Sequence, residues 1–485
     1  MLTYSFDDAG SSTLYEHLYQ CIRHDILSGI IPPGEKLPSK RSFAKNLSVS
    51  TITIENAYGM LLDEGYIYSI PKKGYYVSDI TFSPHSSLPE NSTQPFFQPF
   101  AETENRIGEK RYFADFVSNR TSPDKFPFST WARLLREIIR DRKEELMINS
   151  PSGGIFELQK AICDYLYQFR GMKVSPEQII IGAGTEYLYS LLIQLLGRDK
   201  LFAVENPGYR KISLIYEKNG VSCCHIPLDH QGVKVDALNK SGADVIHISP
   251  SHHFPTGIIT PINRRYELLS WAAEDSSRYI IEDDYDSEFR LSGKPIPPLQ
   301  SIDAIEKVIY INTFTKSLAS TIRISYMILP PHLIQKFRAN LGFYSCTVSN
   351  FEQYTLARFL RDGYFEKHIN RMRKYYKNQR DTILSCIRKN PRAADIRITE
   401  ENAGLHFLIH FPSSLTDDEI IQRADQYGIR ISALSQYDLS SEVSDKNRTA
   451  SSATKTDHTL VVNYSGLDPE TIPEAVDRLI RSIAD

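Results

Sequence analysis

Six short, continuous apolar runs constrain the fold of this chain more than any other feature of its sequence. They lie at Ile179–Ile181, Leu201–Val204, Val245–Ile248, Tyr279–Ile281, Val308–Ile311 and Ile324–Leu329. Runs without polar alternation, separated by helical stretches such as Glu186–Leu196, are typical of strands buried on both faces of a parallel sheet. We therefore predict an α/β region over residues 111–485, with a long helical stretch at about residues 331–390 and a smaller α/β part after it.

A second, smaller pattern covers residues 1–78. Apolar residues recur every fourth position between residues 14 and 26, which predicts a helix with one buried face. Ser39 and Ser50 are N-cap candidates for two further helices, and the tyrosine-rich residues 66–77 predict a β-hairpin. Helix, helix, turn, helix and hairpin describe a winged helix-turn-helix, in which one helix enters the DNA major groove and the wing contacts the backbone.

Residues 79–110 separate the two patterns. This segment is rich in Pro, Ser, Asn and Gln and has no apolar periodicity, which is typical of a semi-extended linker. The sequence therefore predicts a DNA-binding unit at residues 1–78, a linker at residues 79–110 and an α/β effector domain at residues 111–485.

The composition excludes several classes of protein. With 41% hydrophobic and 24% charged residues, the chain has the composition of a globular protein. It has neither an apolar run of about 18 residues nor a basic, apolar leader, so we expect no membrane span and a cytoplasmic location. The six cysteines lack metal-type spacing, so we expect no metal site. Because the net charge is −3, DNA contacts must come from a local cluster of cations.

Such a cluster lies around the second helix and in the wing of the N-terminal unit. The DNA-binding candidates are Ser39, Lys40, Arg41, Ser50, Thr51, Thr53, Lys72 and Lys73. Over about residues 12–78, the segments Leu37–Arg41, Leu47–Thr51 and Glu64–Ile67 resemble the GntR-type DNA-binding domain in order and spacing.

Two positions depart from the GntR pattern. Thr51 stands where relatives usually carry an arginine, and Glu55 takes a place often held by a cation. Specific DNA affinity would therefore depend on dimerisation and on Arg41. The alternative is a winged helix used only for protein contacts.

Four motifs follow predicted strands in the α/β region. They are Gly182–Glu186, Phe254–Gly257, Asp283–Tyr285 and Thr313–Lys316, with Arg323 seven residues beyond the last. Ligands of open α/β sheets bind at the carboxyl ends of the strands. Taken singly, each motif has a structural explanation, such as a helix cap or a solvated cation. Together they place a lysine nucleophile, a carboxylate, an arginine and backbone amides in one crevice.

Pyridoxal phosphate (PLP) is the cofactor that needs this set of groups. A lysine forms a Schiff base with it, an aspartate keeps its pyridine nitrogen protonated, and an arginine and a helix N-terminus hold its phosphate. Residues 111–485 accordingly resemble fold-type I aminotransferases. The resemblance implies a mostly parallel seven-stranded sheet with helices on both faces, and a small α/β subdomain.

The same resemblance implies roles for individual residues. Lys316 matches the Schiff-base lysine, Asp283 the pyridine partner and Arg323 the phosphate arginine. Tyr285 matches the phenol near the cofactor hydroxyl, and Tyr209 an aromatic residue near the ring. The positions that complete the phosphate cup are Thr185, Glu186, Thr313 and Thr315.

A GntR-type domain, a linker and an aminotransferase-like domain in one chain resemble the MocR/GabR regulators. This resemblance covers nearly all 485 residues. It implies a bacterial transcription factor that forms a homodimer, binds half-sites in double-stranded DNA, and uses PLP to sense an amine, an amino acid or the cofactor itself.

The chain also departs from aminotransferases. Phe254, a further cofactor-binding candidate, stands where they commonly carry an asparagine, and Asn149 where many relatives have a tyrosine that reaches the partner's phosphate. The arginine that binds the substrate carboxylate has no clear match within Leu460–Ser465. The candidates for effector contact are Arg210, Lys211, Arg430 and Gln436.

The leading hypothesis is a PLP-dependent regulator with at most slow or partial transamination. The alternative is a competent aminotransferase that carries an accessory DNA-binding domain. A third hypothesis, a degenerate domain without cofactor, conflicts with the intact Lys316, Asp283 and Arg323.

Overall fold

The computed structural model describes residues 2–6, 13–80, 111–118, 121–291, 296–402, 404–439 and 456–483. The chain divides into two compact units, Met1–Gly108 and Glu109–Asp485. All of the predicted linker except residues 79 and 80 lies outside the described residues, so its structure and its boundaries stay predictions.

The first unit is a winged helix-turn-helix. Its elements are α1 (Leu14–Leu27), α2 (Lys40–Leu47), α3 (Thr51–Asp63), β1 (Ile67–Ile70) and β2 (Gly74–Val77). β1 and β2 pair as an antiparallel hairpin. The Ser39 hydroxyl accepts a hydrogen bond from Ser42 N, and the Ser50 hydroxyl accepts one from Thr53 N, so both serines cap the helices that follow them.

A small apolar core joins the three helices to the hairpin. Leu18 and Ile22 of α1, Phe43 of α2, and Ile54 and Tyr58 of α3 are all fully buried. The four-residue spacing within α1 and α3 therefore places one face of each helix in the core.

The second unit holds the remaining elements. Its strands are β3 (Ala114–Asp115), β4 (Ile179–Gly182), β5 (Phe202–Asn206), β6 (Cys223–Asp229), β7 (Gly232–Val233), β8 (Val245–Ile248), β9 (Tyr279–Asp283), β10 (Val308–Thr313), β11 (Ser325–Ile328), β12 (Arg397–Thr399), β13 (His406–Ser413), β14 (Ile429–Arg430), β15 (Ser432–Ala433) and β16 (Thr456–Asn463). Its helices are α4 (Phe128–Asp141), α5 (Lys143–Leu146), α6 (Phe156–Arg170), α7 (Thr185–Leu196), α8 (Arg210–Lys218), α9 (Val235–Ser241), α10 (Ile262–Ala273), α11 (Phe314–Ser317), α12 (Pro331–Leu341), α13 (Asn350–Arg361), α14 (Tyr364–Lys389), α15 (Asp417–Gln426) and α16 (Ile472–Ile483).

The central sheet has the strand order β4-β11-β10-β9-β8-β5-β6-β7. The pairs from β10 through β6 are parallel, and β11 runs antiparallel to both of its neighbours. The two-residue strand β7 extends the predicted seven strands at one edge. β8 and β10 are buried along their whole lengths, as the uninterrupted apolar runs predict.

Two strands of the central sheet, the two-residue β7 and the longer β6, lie outside the six predicted apolar runs. β6 has the sequence CCHIPLD, in which a histidine and a proline interrupt the apolar residues, and most of its side chains are only partly buried. Its single outer neighbour is the short β7, so it lies near the sheet edge and needs no continuous apolar run.

A second sheet, with the order β12-β13-β16-β15, forms the predicted smaller α/β part. The predicted helical stretch at residues 331–390 is observed as the three helices α12, α13 and α14. Among the described residues, no helix is both long and apolar enough to cross a bilayer.

Candidate functional site

A cavity of about 360 Å³ lies at the carboxyl ends of the parallel strands of the second unit. Groups from the ends of five strands of the central sheet line it: Thr185 follows β4, Glu205 lies in β5, Ser249 follows β8, Asp283 ends β9 and Thr313 ends β10. All ten residues predicted for the cofactor line this cavity: Thr185, Glu186, Tyr209, Phe254, Asp283, Tyr285, Thr313, Thr315, Lys316 and Arg323. The structure thus brings the predicted set together, as the rule for α/β sheets requires.

Lys316 lies on α11, the single helical turn that follows β10. The Thr313 hydroxyl caps this turn by accepting a hydrogen bond from Thr315 N at 3.1 Å. Burial lowers the pKa of the Lys316 ammonium group, and the nearby Asp286 carboxylate opposes this shift only in part. A lysine that loses its proton more readily is a better nucleophile, so this environment suits an amine that attacks a carbonyl carbon.

Two side chains that the sequence did not indicate contact one carboxylate oxygen of Asp283. Its Oδ2 accepts a hydrogen bond from the Tyr189 hydroxyl at 2.6 Å and lies 3.4 Å from His247 Nε2. His247 Nδ1 in turn lies 2.7 Å from the Tyr216 hydroxyl. Oδ1 of Asp283 is buried and has no hydrogen-bond partner within the described part of the chain. A carboxylate oxygen without a partner at this position could accept a hydrogen bond from the protonated pyridine nitrogen of PLP.

The N-terminus of α7 and Arg323 form a cradle in the cavity lining. Gly184, at φ +93°, caps α7, and a Cβ added to it would lie 2.3 Å from Arg323 Nη2. Arg323 Nη2 lies 3.5 Å from Glu186 Oε2, and Lys211 Nζ also pairs with this carboxylate. Lys211 lowers the pKa of Glu186. Backbone amides at a helix start and a nearby guanidinium are the groups that bind a phosphate.

Aromatic side chains, among them Tyr209, Phe254 and Tyr285, also line the cavity. The Tyr209 ring is half-exposed and stands edge-on to Phe254, with centroids 6.0 Å apart. Phe254 also contacts the rings of His406 and Tyr437. The Tyr285 hydroxyl lies 3.3 Å from His252 Nδ1.

A buried carboxyl group and a buried histidine also line the cavity. Glu205 Oε2 accepts a hydrogen bond from Ser249 N at 2.9 Å and lies 3.4 Å from His253 Nε2. Burial raises the pKa of Glu205 to about 8 and lowers the pKa of His253 to about 3. Neither residue belongs to a motif predicted from the sequence, although His253 immediately precedes the predicted Phe254.

The four effector candidates are mostly engaged elsewhere in the protein. Of these four residues, Lys211 alone is found among the side chains that line the described cavity. Arg430 Nη1 lies 3.3 Å from Asp115 Oδ2, and Gln436 Oε1 accepts a hydrogen bond from Ala433 N. Arg210 begins α8 and is exposed. Their role in effector binding stays a prediction.

The DNA-binding candidates lie at the surface of the first unit. Arg41, Thr51, Lys72 and Lys73 are exposed, and Ser39 and Ser50 serve as helix caps. The Thr53 hydroxyl lies 2.8 Å from the Ser50 hydroxyl. Lys40 differs from the other cations because its Nζ donates to Glu55 Oε1 at 2.6 Å and lies 5.6 Å from the centre of the Tyr75 ring.

Comparisons with known proteins agree with both units. Residues 118–479 match the family model for aminotransferase class I and II, and residues 14–77 match that for bacterial regulatory proteins of the gntR family. The HTH-type transcriptional regulator YdeL of Bacillus subtilis is 39% identical over 86% of this chain and 88% of its own length. The probable rhizopine catabolism regulatory protein MocR of Rhizobium meliloti is 30% identical over 96% of this chain and 93% of its own.

A solved structure supports the fold of the second unit. The kynurenine aminotransferase of Pyrococcus horikoshii aligns with a TM-score of 0.65 and 24% identity, covering 78% of this chain and 92% of its own. At this identity the likeness establishes the aminotransferase fold of the α/β unit.

Proposed function

The chain belongs to the family that joins a gntR-type DNA-binding domain to an aminotransferase class I and II domain, the MocR/GabR type, and we propose that it is a PLP-dependent bacterial transcriptional regulator. In this proposal, the second unit binds PLP and senses an amine, an amino acid or the cofactor itself. The first unit binds double-stranded DNA. The observation that carries the proposal is the single cavity that gathers Lys316, Asp283 and Arg323 in a chain that begins with a winged helix.

The residues of the cavity fit PLP. The unpaired Asp283 Oδ1 would hold the ring nitrogen in its protonated form, and Gly184 leaves the space in which Arg323 and the α7 amides would hold a phosphate. When bound, PLP supplies an electrophilic carbon to which a primary amine can bond. Lys316, which lines the cavity just after β10, would be that amine.

The cavity favours ligand sensing over turnover. Phe254 replaces the asparagine that is common in aminotransferases, and the lining cations Lys211 and Arg323 both lie against Glu186. Fast transamination needs the reacting bond held in a near-attack geometry, and loose positioning costs rate steeply. A ligand that binds without turnover can still shift a conformational equilibrium if it favours one arrangement of the protein.

On the DNA side, Arg41 and the wing cations Lys72 and Lys73 would contact phosphates. Such contacts position a protein on the duplex, whereas side chains on the recognition helix, here Thr51 and Thr53, would read bases. We propose that a homodimer presents two winged helices to two half-sites, and that it acts in the cytoplasm, where bacterial operators are located.

The proposal is tested by cofactor binding and by kinetics. Full-length protein with PLP should show a visible absorption band that borohydride reduces, and Lys316→Ala should lose it. Lys307→Ala is the matched control, because Lys307 directly precedes the same strand, β10, but does not line the cavity.

A band that persists in Lys316→Ala would contradict the assignment of this lysine. The competing aminotransferase function is favoured by the complete set of Lys316, Asp283 and Arg323. Multiple turnovers with amino donors and 2-oxo acids, at about one per second or faster, would establish it instead.

A further inference from the structure

Helix α3 of the first unit carries two exposed side chains that are not among the DNA contacts predicted from the sequence. They are Ile52 and Asn56, the second and sixth residues of the helix. Ile52 is 68% exposed, more than any other large apolar side chain in the described part of the first unit. Single exposed apolar residues are common on protein surfaces, so exposure alone assigns no function, and the position on the helix must do so.

Helical periodicity places both side chains on the side of α3 that faces away from the core. The buried residues of α3 are Ile54, Ala57, Tyr58 and Leu61. At 3.6 residues per turn, residue 52 points away from the mean direction of these four, and residue 56 lies about one turn further along the same side. We call Ile52 and Asn56 the outward ridge of α3.

The polar side chains beside the ridge are engaged within the protein. The Thr53 hydroxyl lies 2.8 Å from the Ser50 hydroxyl at the helix cap, and the Thr53 side chain is partly buried. The Glu55 carboxylate accepts a hydrogen bond from Lys40 Nζ at 2.6 Å. This ion pair also offsets a negative charge that would otherwise repel DNA phosphates near the ridge. The outward ridge therefore presents an apolar group and an exposed amide.

An apolar group and an amide on one ridge match the edges of A·T base pairs in the DNA major groove. In a helix-turn-helix, the second helix of the pair, here α3, enters this groove, and residues near its N-terminus contact base edges. Thymine presents an apolar 5-methyl group there. Adenine presents the N7 acceptor and the N6 donor, which an asparagine amide can engage with two hydrogen bonds. Guanine presents two acceptors, N7 and O6, and would leave the amide carbonyl without a donor.

We propose that the outward ridge reads A·T base pairs of the operator, with Ile52 against a thymine methyl group and the Asn56 amide bonded to N7 and N6 of an adenine. This inference rests on the proposed function, because it assumes that the first unit binds double-stranded DNA. The exposed cations, such as Arg41, would fix the position of the unit on the duplex, and the ridge would select the sequence.

The test uses full-length protein and a DNA fragment selected from a random pool for tight binding. Each thymine of the fragment is replaced in turn by uracil, which pairs in the same way but lacks the methyl group. Each adenine is replaced in turn by 7-deazaadenine, which lacks the N7 acceptor. Dissociation constants are measured by electrophoretic mobility shifts. At one or more positions uracil should weaken binding about fourfold, and at one or more positions 7-deazaadenine should weaken it about fivefold.

Two variants assign these losses to the ridge. In Ile52→Ala, the ratio of thymine to uracil affinities should fall to about one, while the ratio of adenine to 7-deazaadenine affinities stays as in the parent protein. Asn56→Ala should show the reverse pattern. Both side chains are exposed, so both variants should fold, and circular dichroism checks their helix content. Ile30→Ala is the matched control, because Ile30 is 65% exposed in the same unit but lies outside α3, and both ratios should persist in it.

Each failure has a distinct meaning. A protein that selects no fragment from the pool contradicts the proposed function itself. A protein that binds DNA but tolerates every uracil, or every 7-deazaadenine, contradicts only this inference. A ratio that persists in the corresponding variant also overturns it, because DNA shape or another side chain would then be responsible. Loss of both ratios in Ile30→Ala would overturn it as well, since the effect would then not belong to α3.

Discussion

The two units of this protein place their functional charges in opposite environments. In the winged helix-turn-helix, Arg41, Lys72 and Lys73 are exposed cations of one small unit. In the second unit, Asp283 is buried, Lys316 is partly buried, and the two come from different strand ends. Exposed charges are screened by salt, whereas buried groups respond to pH, to desolvation and to the shape of their cavity. Because the two sets of charges respond to different conditions, DNA binding and cofactor binding can be perturbed separately.

The largest effect is expected from a change of shape in the cavity. In Gly184→Ala, the added Cβ would displace the Arg323 guanidinium, so the affinity for PLP should fall about 100-fold, as measured by absorbance titration. Gly220→Ala is the matched control, because Gly220 also has a positive φ but nothing within 4 Å of an added Cβ. DNA affinity without PLP should stay the same in both variants. Equal loss of PLP affinity in the two variants would mean that backbone strain, and not the cradle, is responsible.

A smaller effect is expected from the exposed cations. Arg41→Ala should weaken binding to a DNA fragment selected from a random pool by about tenfold and lower the salt dependence by about one unit of slope. Lys40→Ala should have a smaller effect, because Lys40 must leave Glu55 before it can reach a phosphate. Electrophoretic mobility shifts at several salt concentrations measure both. If Lys40→Ala lowers DNA affinity as much as Arg41→Ala does, the expected difference between free and ion-paired cations is wrong.

The smallest effect concerns pH and the stability of the second unit. The folded protein raises the pKa of Glu205 from 4.5 to about 8, so this group favours folding at low pH and loses that contribution as the pH rises through about 8. Glu205→Gln should therefore flatten the decline of the free energy of unfolding between about pH 5 and pH 8. Both tryptophans, Trp131 and Trp271, lie in the second unit, so their fluorescence during urea unfolding reports on it. An unchanged pH dependence in the variant would contradict this role for Glu205.

The site could be predicted from the sequence because its motifs follow strands of one parallel sheet. Parallel strands share one edge, so motifs that follow β9 and β10 had to converge, and both Asp283 and Lys316 line the cavity. The helix α1 was likewise predictable from the spacing of its apolar residues, and the starts of α2 and α3 from their N-cap serines. These signals lie within short stretches of sequence.

The residues that escaped prediction depend on contacts between distant segments. Tyr189 reaches Asp283 across 94 positions, and His406 enters the cavity from the second sheet. Nothing in the sequence shows that α3 brings Glu55 against Lys40, and the role of Lys40 as a DNA contact stays a prediction. Such pairings are set by how elements pack, which periodicity and spacing do not encode.

In the proposed function, an amine bound in the cavity changes the affinity of the protein for DNA. The direct measurement is the affinity of PLP-loaded protein for the selected DNA fragment, with and without a saturating concentration of the simple amine or amino acid that shifts the visible band at the lowest concentration. We expect a change of at least fivefold in the parent protein and none in Lys316→Ala at the same amine concentration. An unchanged affinity in the parent protein, or the same change in Lys316→Ala, would contradict the account.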